Sequence, residues 1–252
     1  MSESRKPLIE VRGFRKHFGA KLVHDGVDFT LYEREVVSLI GGSGSGKSVL
    51  LRALIGLERP DSGVLLYRGR DISNLTEREW TEVRTKIAYV FQGGALFDSL
   101  TVEENLLYPL DAHTQLSTKE KQKKADETLA MLGLKGSNKL LPADLSGGMQ
   151  KRAGLARALM LDPEVILYDE PTAGLDPFNT KNIQDIINSL KKKGQGGILV
   201  THDMPTAFAT SERMSLLLQG KIAVTGSVEE LRNGSDPIVH SFITGEMAYG
   251  KT

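Results

Sequence analysis

Gly41-Gly42-Ser43-Gly44-Ser45-Gly46-Lys47-Ser48 fits G-x-x-x-x-G-K-[ST], the pattern of a phosphate-binding loop. Each residue type has a physical reason. Glycines let the backbone curl until its N–H groups converge on one anion. A helix opening at Lys47 aims its positive end at the same anion. Lys47 can reach β- and γ-phosphates, and the Ser48 hydroxyl can ligate Mg²⁺. The flanks agree with this reading. Glu35-Val36-Val37-Ser38-Leu39-Ile40 predicts a buried strand, and the apolar run from Lys47 to Ile55 predicts a helix. Strand, glycine loop and helix together separate a nucleotide site from an ordinary glycine-rich turn.

Further along, Leu145-Ser146-Gly147-Gly148-Met149 precedes a helix-like run from Gln150 to Leu159. Ser146 is a good N-cap, and its hydroxyl with the following N–H groups could bind another phosphate. Val165-Ile166-Leu167-Tyr168-Asp169-Glu170 reads as an apolar strand ending in two carboxylates. Asp169 suits a Mg²⁺ shell, and Glu170 is placed to polarise an attacking water. Leu199-Val200-Thr201-His202 is a second apolar strand, ending in a histidine, and Gln92 follows the strand-like Ile87-Ala88-Tyr89-Val90-Phe91.

In this order the pieces resemble the ATPase subunit of an ATP-binding cassette (ABC) transporter, over nearly the whole chain. The resemblance implies an α/β fold of the P-loop NTPase class: a mainly parallel core sheet, an N-terminal antiparallel β subdomain and an inserted helical subdomain at about residues 93–160. It implies a cassette over residues 8–245 and a tail at 246–252. Gly41, Gly42, Ser43, Gly44, Ser45, Gly46, Lys47 and Ser48, with Val49, stand as the Walker A loop. Gln92 stands as the Q-loop glutamine, Asp169 and Glu170 close Walker B, and His202 is the switch histidine. Ser146, Gly147 and Gly148 carry the signature, Asp176 the D-loop, and Phe18 the aromatic that stacks on adenine. The implied catalytic set is Glu170, His202, Gln92 and Lys47; the implied metal set is Ser48, Gln92 and Asp169; the implied ligands are ATP and Mg²⁺. One departure is Met149, where the common signature has Gln and an amide that Met cannot offer.

Composition is consistent. Lys plus Arg is 32 and Asp plus Glu is 32, so no net charge draws the chain to nucleic acid. There are no cysteines, hence no disulfide or thiolate metal site. No apolar run is long enough to cross a membrane, and residues 1–7 contain no apolar signal core. We therefore expect a chain soluble by itself, and the resemblance implies that a partner holds it at the cytoplasmic face of an inner membrane. His17, His24, His113 and His240 lack neighbours at metal-ligand spacing and are expected in surface or core roles. Asp203 is read as structural, residues 119–124 as a solvated basic helix face, and Lys191-Lys192-Lys193 as a helix C-terminus.

The segment from Phe91 to Asn105, with Tyr108-Pro109-Leu110 and Leu141-Pro142-Ala143-Asp144-Leu145-Ser146-Gly147-Gly148-Met149, is similar to the MlaF type of ATPase. That likeness implies a phospholipid transporter of a Gram-negative envelope, a permease of the MlaE kind, an Mce-domain lipid-binding subunit and a second copy of this chain in a head-to-tail ATP sandwich. It places permease docking on residues 93–108, with Leu96, Phe97 and Leu100 as apolar anchors and Asp98, Glu103 and Glu104 as an exposed acidic rim. ATPases for amino acids, methionine or lipoproteins share most of these motifs and remain open. So do a non-transport ABC protein and a nucleotide-gated module that does not hydrolyse.

Overall fold

The computed structural model describes residues 5–233 and 241–242; His240 and the 246–252 tail lie outside them. The described residues form two compact units, one of residues 77–195 and the other of the described residues before and after that span. The first opens with β1 (Pro7–Phe18), β2 (Lys21–Tyr32), β3 (Val36–Ile40), α1 (Lys47–Ala53), β4 (Ser62–Tyr67) and β5 (Arg70–Asp71). The second holds α2 (Glu77–Lys86), β6 (Ile87–Val90), α3 (Val102–His113), α4 (Thr118–Met131), α5 (Gly147–Leu159), β7 (Val165–Asp169) and α6 (Pro177–Lys192). The chain returns to the first through β8 (Gly196–Val200), α7 (Met204–Thr210), β9 (Arg213–Leu218), β10 (Lys221–Ser227) and α8 (Val228–Asn233).

Within the first unit, β2, β1, β4 and β5 form an antiparallel sheet. β3 lies parallel between β8 and β9, and β10 adds antiparallel to β9. All five residues of β3 are buried, as are those of β8. Two-sided burial is why both read as near-continuous apolar runs, broken in β3 only by Ser38, instead of alternating ones. Ile40, Met214 and Leu216 pack with Ala207 of α7 and Leu231 of α8, and Phe242 covers their edge. The start of β3 is fixed by charge. Glu35, 2% exposed, accepts from Arg213 at 2.6 and 3.1 Å, and Glu212 accepts from the Val36 N–H at 2.8 Å.

Within the second unit, β6 and β7 pair in parallel. The helices carry strong start signals. Thr101 and Ser117 form capping boxes with Glu104 and Glu120, and Asp176 caps α6 with Pro177 in its first turn. Ile183, Ile187 and Leu190 form the buried stripe of α6 at helical spacing, and the helix ends at Lys192 with Lys193 as its cap. Lys121 and Lys124 are half-buried and pair with Asp111 and Asp162, so the basic run of α4 is only in part a solvated face.

Candidate functional site

In the first unit the predicted glycine loop stands between the end of β3 and α1. The helix is shorter than its apolar run, with Leu54 as its C-cap. Both ends of the loop press on neighbouring strands. A Cβ at Gly41 would lie 2.5 Å from the Leu217 carbonyl oxygen of β9, and one at Gly46 would lie 2.6 Å from Val23 and 2.8 Å from His24 of β2. Gly46 precedes the helix at φ 98, a left-handed conformation that glycine adopts at least cost. Between these ends a Cβ at Gly44 meets nothing within 4 Å. The buried Lys47 ammonium donates to the carbonyls of Gly41 and Gly42 at 2.8 and 2.9 Å, closing the loop on itself. Ser45 Oγ is buried with no hydrogen-bond partner. A closed backbone cradle with an ammonium and an orphaned hydroxyl is what a phosphate group would satisfy.

Phe18 ends β1 with its ring 46% exposed and Lys16 Nζ 5.2 Å from its centroid. His202 lies just past β8 and is exposed. Beside it Asp203 accepts from Thr206, at the start of α7, in keeping with a structural role. His17 bonds Asp61 at the surface through Nδ1 at 2.9 Å, whereas His24 is fully buried.

In the second unit Asp169 is the last residue of β7 and Glu170 follows it at φ +50. A non-glycine residue in the left-handed region is uncommon and marks local strain. Asp169 is buried and accepts from the Tyr89 hydroxyl of β6 at 2.6 Å. Lys151 of α5 donates to the Ala173 carbonyl. Burial lowers its pKa, and the Glu170 charge works against that shift. Neither Tyr89 nor Lys151 stood out in the sequence, because each gains meaning only by pairing across elements.

Ser146 caps α5, its side chain accepting from the Met149 N–H at 3.3 Å. Gln150, one place after Met149, donates to the Pro142 carbonyl at 2.8 Å. A glutamine amide thus braces the loop it follows. Gly148 is buried against Asn179 of α6, where a Cβ would lie 2.6 Å from Oδ1. Asn179 accepts from Arg152 at 3.0 Å and also donates to the Asp176 carboxylate. Hydrogen bonds from the Asn179 backbone N–H first, and then from its side chain, hold the Asp176 pKa below the ordinary value. Asn179 therefore lies against Gly148 and is bonded to Asp176, a link that local pattern could not reveal.

Gln92 is exposed just beyond β6. In the segment after it, Phe97 is 45% exposed, meets the Tyr108 ring at 5.1 Å with a 55° tilt and lies under Arg157 at 5.4 Å. Leu96 and Leu100 are half-buried, and Asp98 is exposed. The expected acidic rim needs correction. Glu103 is only 6% exposed and pairs with Lys139 at 2.8 Å, while Glu104 is engaged in the Thr101 capping box. Asn105 is fully buried; its side chain accepts from the Phe97 N–H and donates to the carbonyls of Phe97, Leu100 and Thr101.

Residues 24–173, more than half of the chain, match the family model described as "ABC transporter". The chain is 34% identical over 246 residues to the "Intermembrane phospholipid transport system ATP-binding protein MlaF" of Escherichia coli K12, covering 97% of this chain and 91% of that protein. It is 41% identical over 238 residues to the "Probable ribonucleotide transport ATP-binding protein mkl" of Mycobacterium tuberculosis. That match covers 94% of this chain but only 66% of the relative, just under two thirds of its length. Among solved structures it is similar to a dimeric ATP-binding cassette in a post-hydrolysis state with ADP and Pi. There the TM-score is 0.81 at 32% identity, over 87% of this chain and 98% of that one.

Proposed function

The chain belongs to the ABC transporter family, and from that premise we propose that it is the ATP-hydrolysing subunit of a transporter that moves phospholipid. The observation that carries the lipid reading is the match to the Escherichia coli phospholipid-transport protein along nearly its full length. The two alternatives outside transport, a DNA or ribosome protein and a non-hydrolysing module, have no comparable support.

In this reading the loop from Gly41 to Ser48, with Val49, holds the phosphates of ATP through backbone N–H groups and the Lys47 ammonium. Phe18 stacks on the base. The hydroxyl of Ser48, the amide oxygen of Gln92 and the carboxylate of Asp169 are the hard oxygen donors that Mg²⁺ takes. Bound there, Mg²⁺ would neutralise charge on the phosphate oxygens. Glu170 takes a proton from the attacking water, and His202 and Gln92 orient around the γ-phosphate. Ser146, Gly147 and Gly148, with Asp176, complete the site of a second copy, so that two chains enclose two nucleotides. The dimeric relative with ADP and Pi supports that arrangement. No helix among the described residues is long and apolar enough to cross a membrane. Attachment at a cytoplasmic membrane face then falls to a permease of the MlaE kind, with an Mce-domain subunit beyond it. Phe97, Leu96 and Leu100 supply the docking face, and Asp98 its exposed acid.

The test is to isolate the native complex from membranes, measure its ATPase activity and identify its subunits and bound lipid by mass spectrometry. We expect a permease and co-purifying phospholipid, with Asp98→Lys still folded but released from the permease. A complex holding ribonucleotide cargo and no lipid would favour the second reading, which the mycobacterial relative's name suggests.

A further inference from the structure

The first unit contains a buried histidine that the catalytic scheme does not use. His24 is fully buried in β2, beneath the phosphate loop. Its Nε2 lies 3.0 Å from the Gly46 carbonyl oxygen, and its ring meets Phe14 edge-on at 5.2 Å and 61°. A carbonyl oxygen only accepts, so Nε2 must carry the proton. Nδ1 is then a bare acceptor, and it is buried with no hydrogen-bond partner. Burial lowers the pKa of the ring, more than the Gly46 bond raises it, which favours the neutral tautomer. An apolar side chain would fill this position beside Phe14 and Val23 without leaving an acceptor unpaired. The imidazole is therefore a poor choice for core packing and a specific one for the Gly46 carbonyl.

We propose that His24 is a positioning residue for nucleotide binding, which holds the Gly46–Lys47 peptide so that its N–H faces the phosphate position. The peptide is trans, as are all those described, so its C=O and N–H point in opposite directions. Drawing the Gly46 oxygen toward β2 turns the Lys47 N–H away from β2. The same carbonyl accepts from the N–H groups of Val49 and Leu50 at 2.9 and 3.2 Å, so His24 adds a lateral tie to an axial one. Gly46 has no Cβ to oppose this tie, and the contact with His24 leaves no room for one. The proposal rests on the reading of the loop as the ATP site.

Its test separates packing from positioning. ATP affinity and thermal stability are measured on the full chain for the parent, His24→Leu, His24→Gln and Lys47→Ala. Leu preserves apolar packing and removes the donor; Gln places an amide N–H near the position of Nε2. We expect His24→Leu to melt at or above the parent temperature while its ATP dissociation constant rises about three- to tenfold, the share of one hydrogen bond. His24→Gln should recover most of that affinity. Parental affinity in a folded His24→Leu, or equal weakening in the Leu and Gln variants, overturns the proposal. Should His24→Leu fail to fold, His24→Gln is compared with His24→Asn, whose amide is too short to reach Gly46; equal affinities then overturn it. A parent that binds no ATP, or a Lys47→Ala variant that binds as well as the parent, refutes the site assignment itself. Loss in Lys47→Ala with none in His24→Leu refutes only the role of His24.

Discussion

Two glycine-rich turns of this chain each open a helix, and their backbones are held by different means. The turn before α1 has a left-handed glycine at its cap position and no side-chain cap bond. Its ends are pressed against main chain and core: Gly41 against the Leu217 carbonyl, Gly46 against Val23 and His24. The turn before α5 has an extended serine at its cap, whose own hydroxyl takes up the Met149 N–H. Its second glycine rests on a side chain, Asn179. The first turn opens its helix with no side-chain cap, whereas the second caps its own with a serine hydroxyl. That contrast is in keeping with the proposed division, in which the first loop holds phosphate within its own chain and the second completes the site of a second copy.

The most drastic challenge to this division of labour lies outside both turns. If they hold phosphate and Glu170 does the chemistry, Glu170→Gln must leave binding intact and stop turnover. Loss of a general base is worth about 10²- to 10⁴-fold in rate. Steady-state ATPase activity in the native complex, beside ATP affinity, checks both halves. Next in size is Lys47→Ala, which removes a charged donor and the two bonds that close the first loop. A charged hydrogen bond is worth about 1.5–3 kcal/mol, so nucleotide affinity should fall about ten- to a hundredfold in equilibrium titration.

The comparison is sharpened by adding one methyl group to each turn. Gly41→Ala and Gly148→Ala should each cost about 1–3 kcal/mol in chemical denaturation, through overpacking. They should differ in repair. The obstacle at Gly148 is a side chain, so Gly148→Ala with Asn179→Ala should regain much of the loss. The obstacle at Gly41 is the Leu217 carbonyl, which no side-chain change removes. Equal repair at both positions would erase the distinction between backbone and side-chain clamps. The smallest effect belongs to Ser146→Ala. Losing an N-cap costs about 1 kcal/mol, seen as a shift in the denaturation midpoint with an unchanged slope.

The phosphate loop was legible because its chemistry is local. Eight consecutive residues, an apolar strand before and an apolar helix after are enough to place it. The carboxylates at the end of β7, the Ser146 cap and the Lys191–Lys193 helix end were legible for the same reason. What escaped the sequence is polar and distant. Glu103 looked like a surface acid, but it is buried and pairs with Lys139, 36 residues on. The sequence assigned no role to Asn179 or to Asn105 by itself, yet one ties α5 to the Asp176 cap and the other braces Phe97 through Thr101. His24 sits in a strand whose pattern does not mark it as facing the phosphate loop. Periodicity reports which face of an element is buried, but not which buried polar group finds a partner on another element.

The left-handed backbone at Glu170 carries a consequence for anyone who would breed a sturdier version of this protein. Glycine is the residue that φ +50 prefers, and replacing Glu170 with it would relieve strain of order 1 kcal/mol. If Glu170 is the general base, a screen that rewards heat resistance alone would therefore drift toward glycine there and recover a motor with its ignition removed. Only a screen that also demands turnover would keep the carboxylate. On that assignment, durability and work are opposing demands at this position.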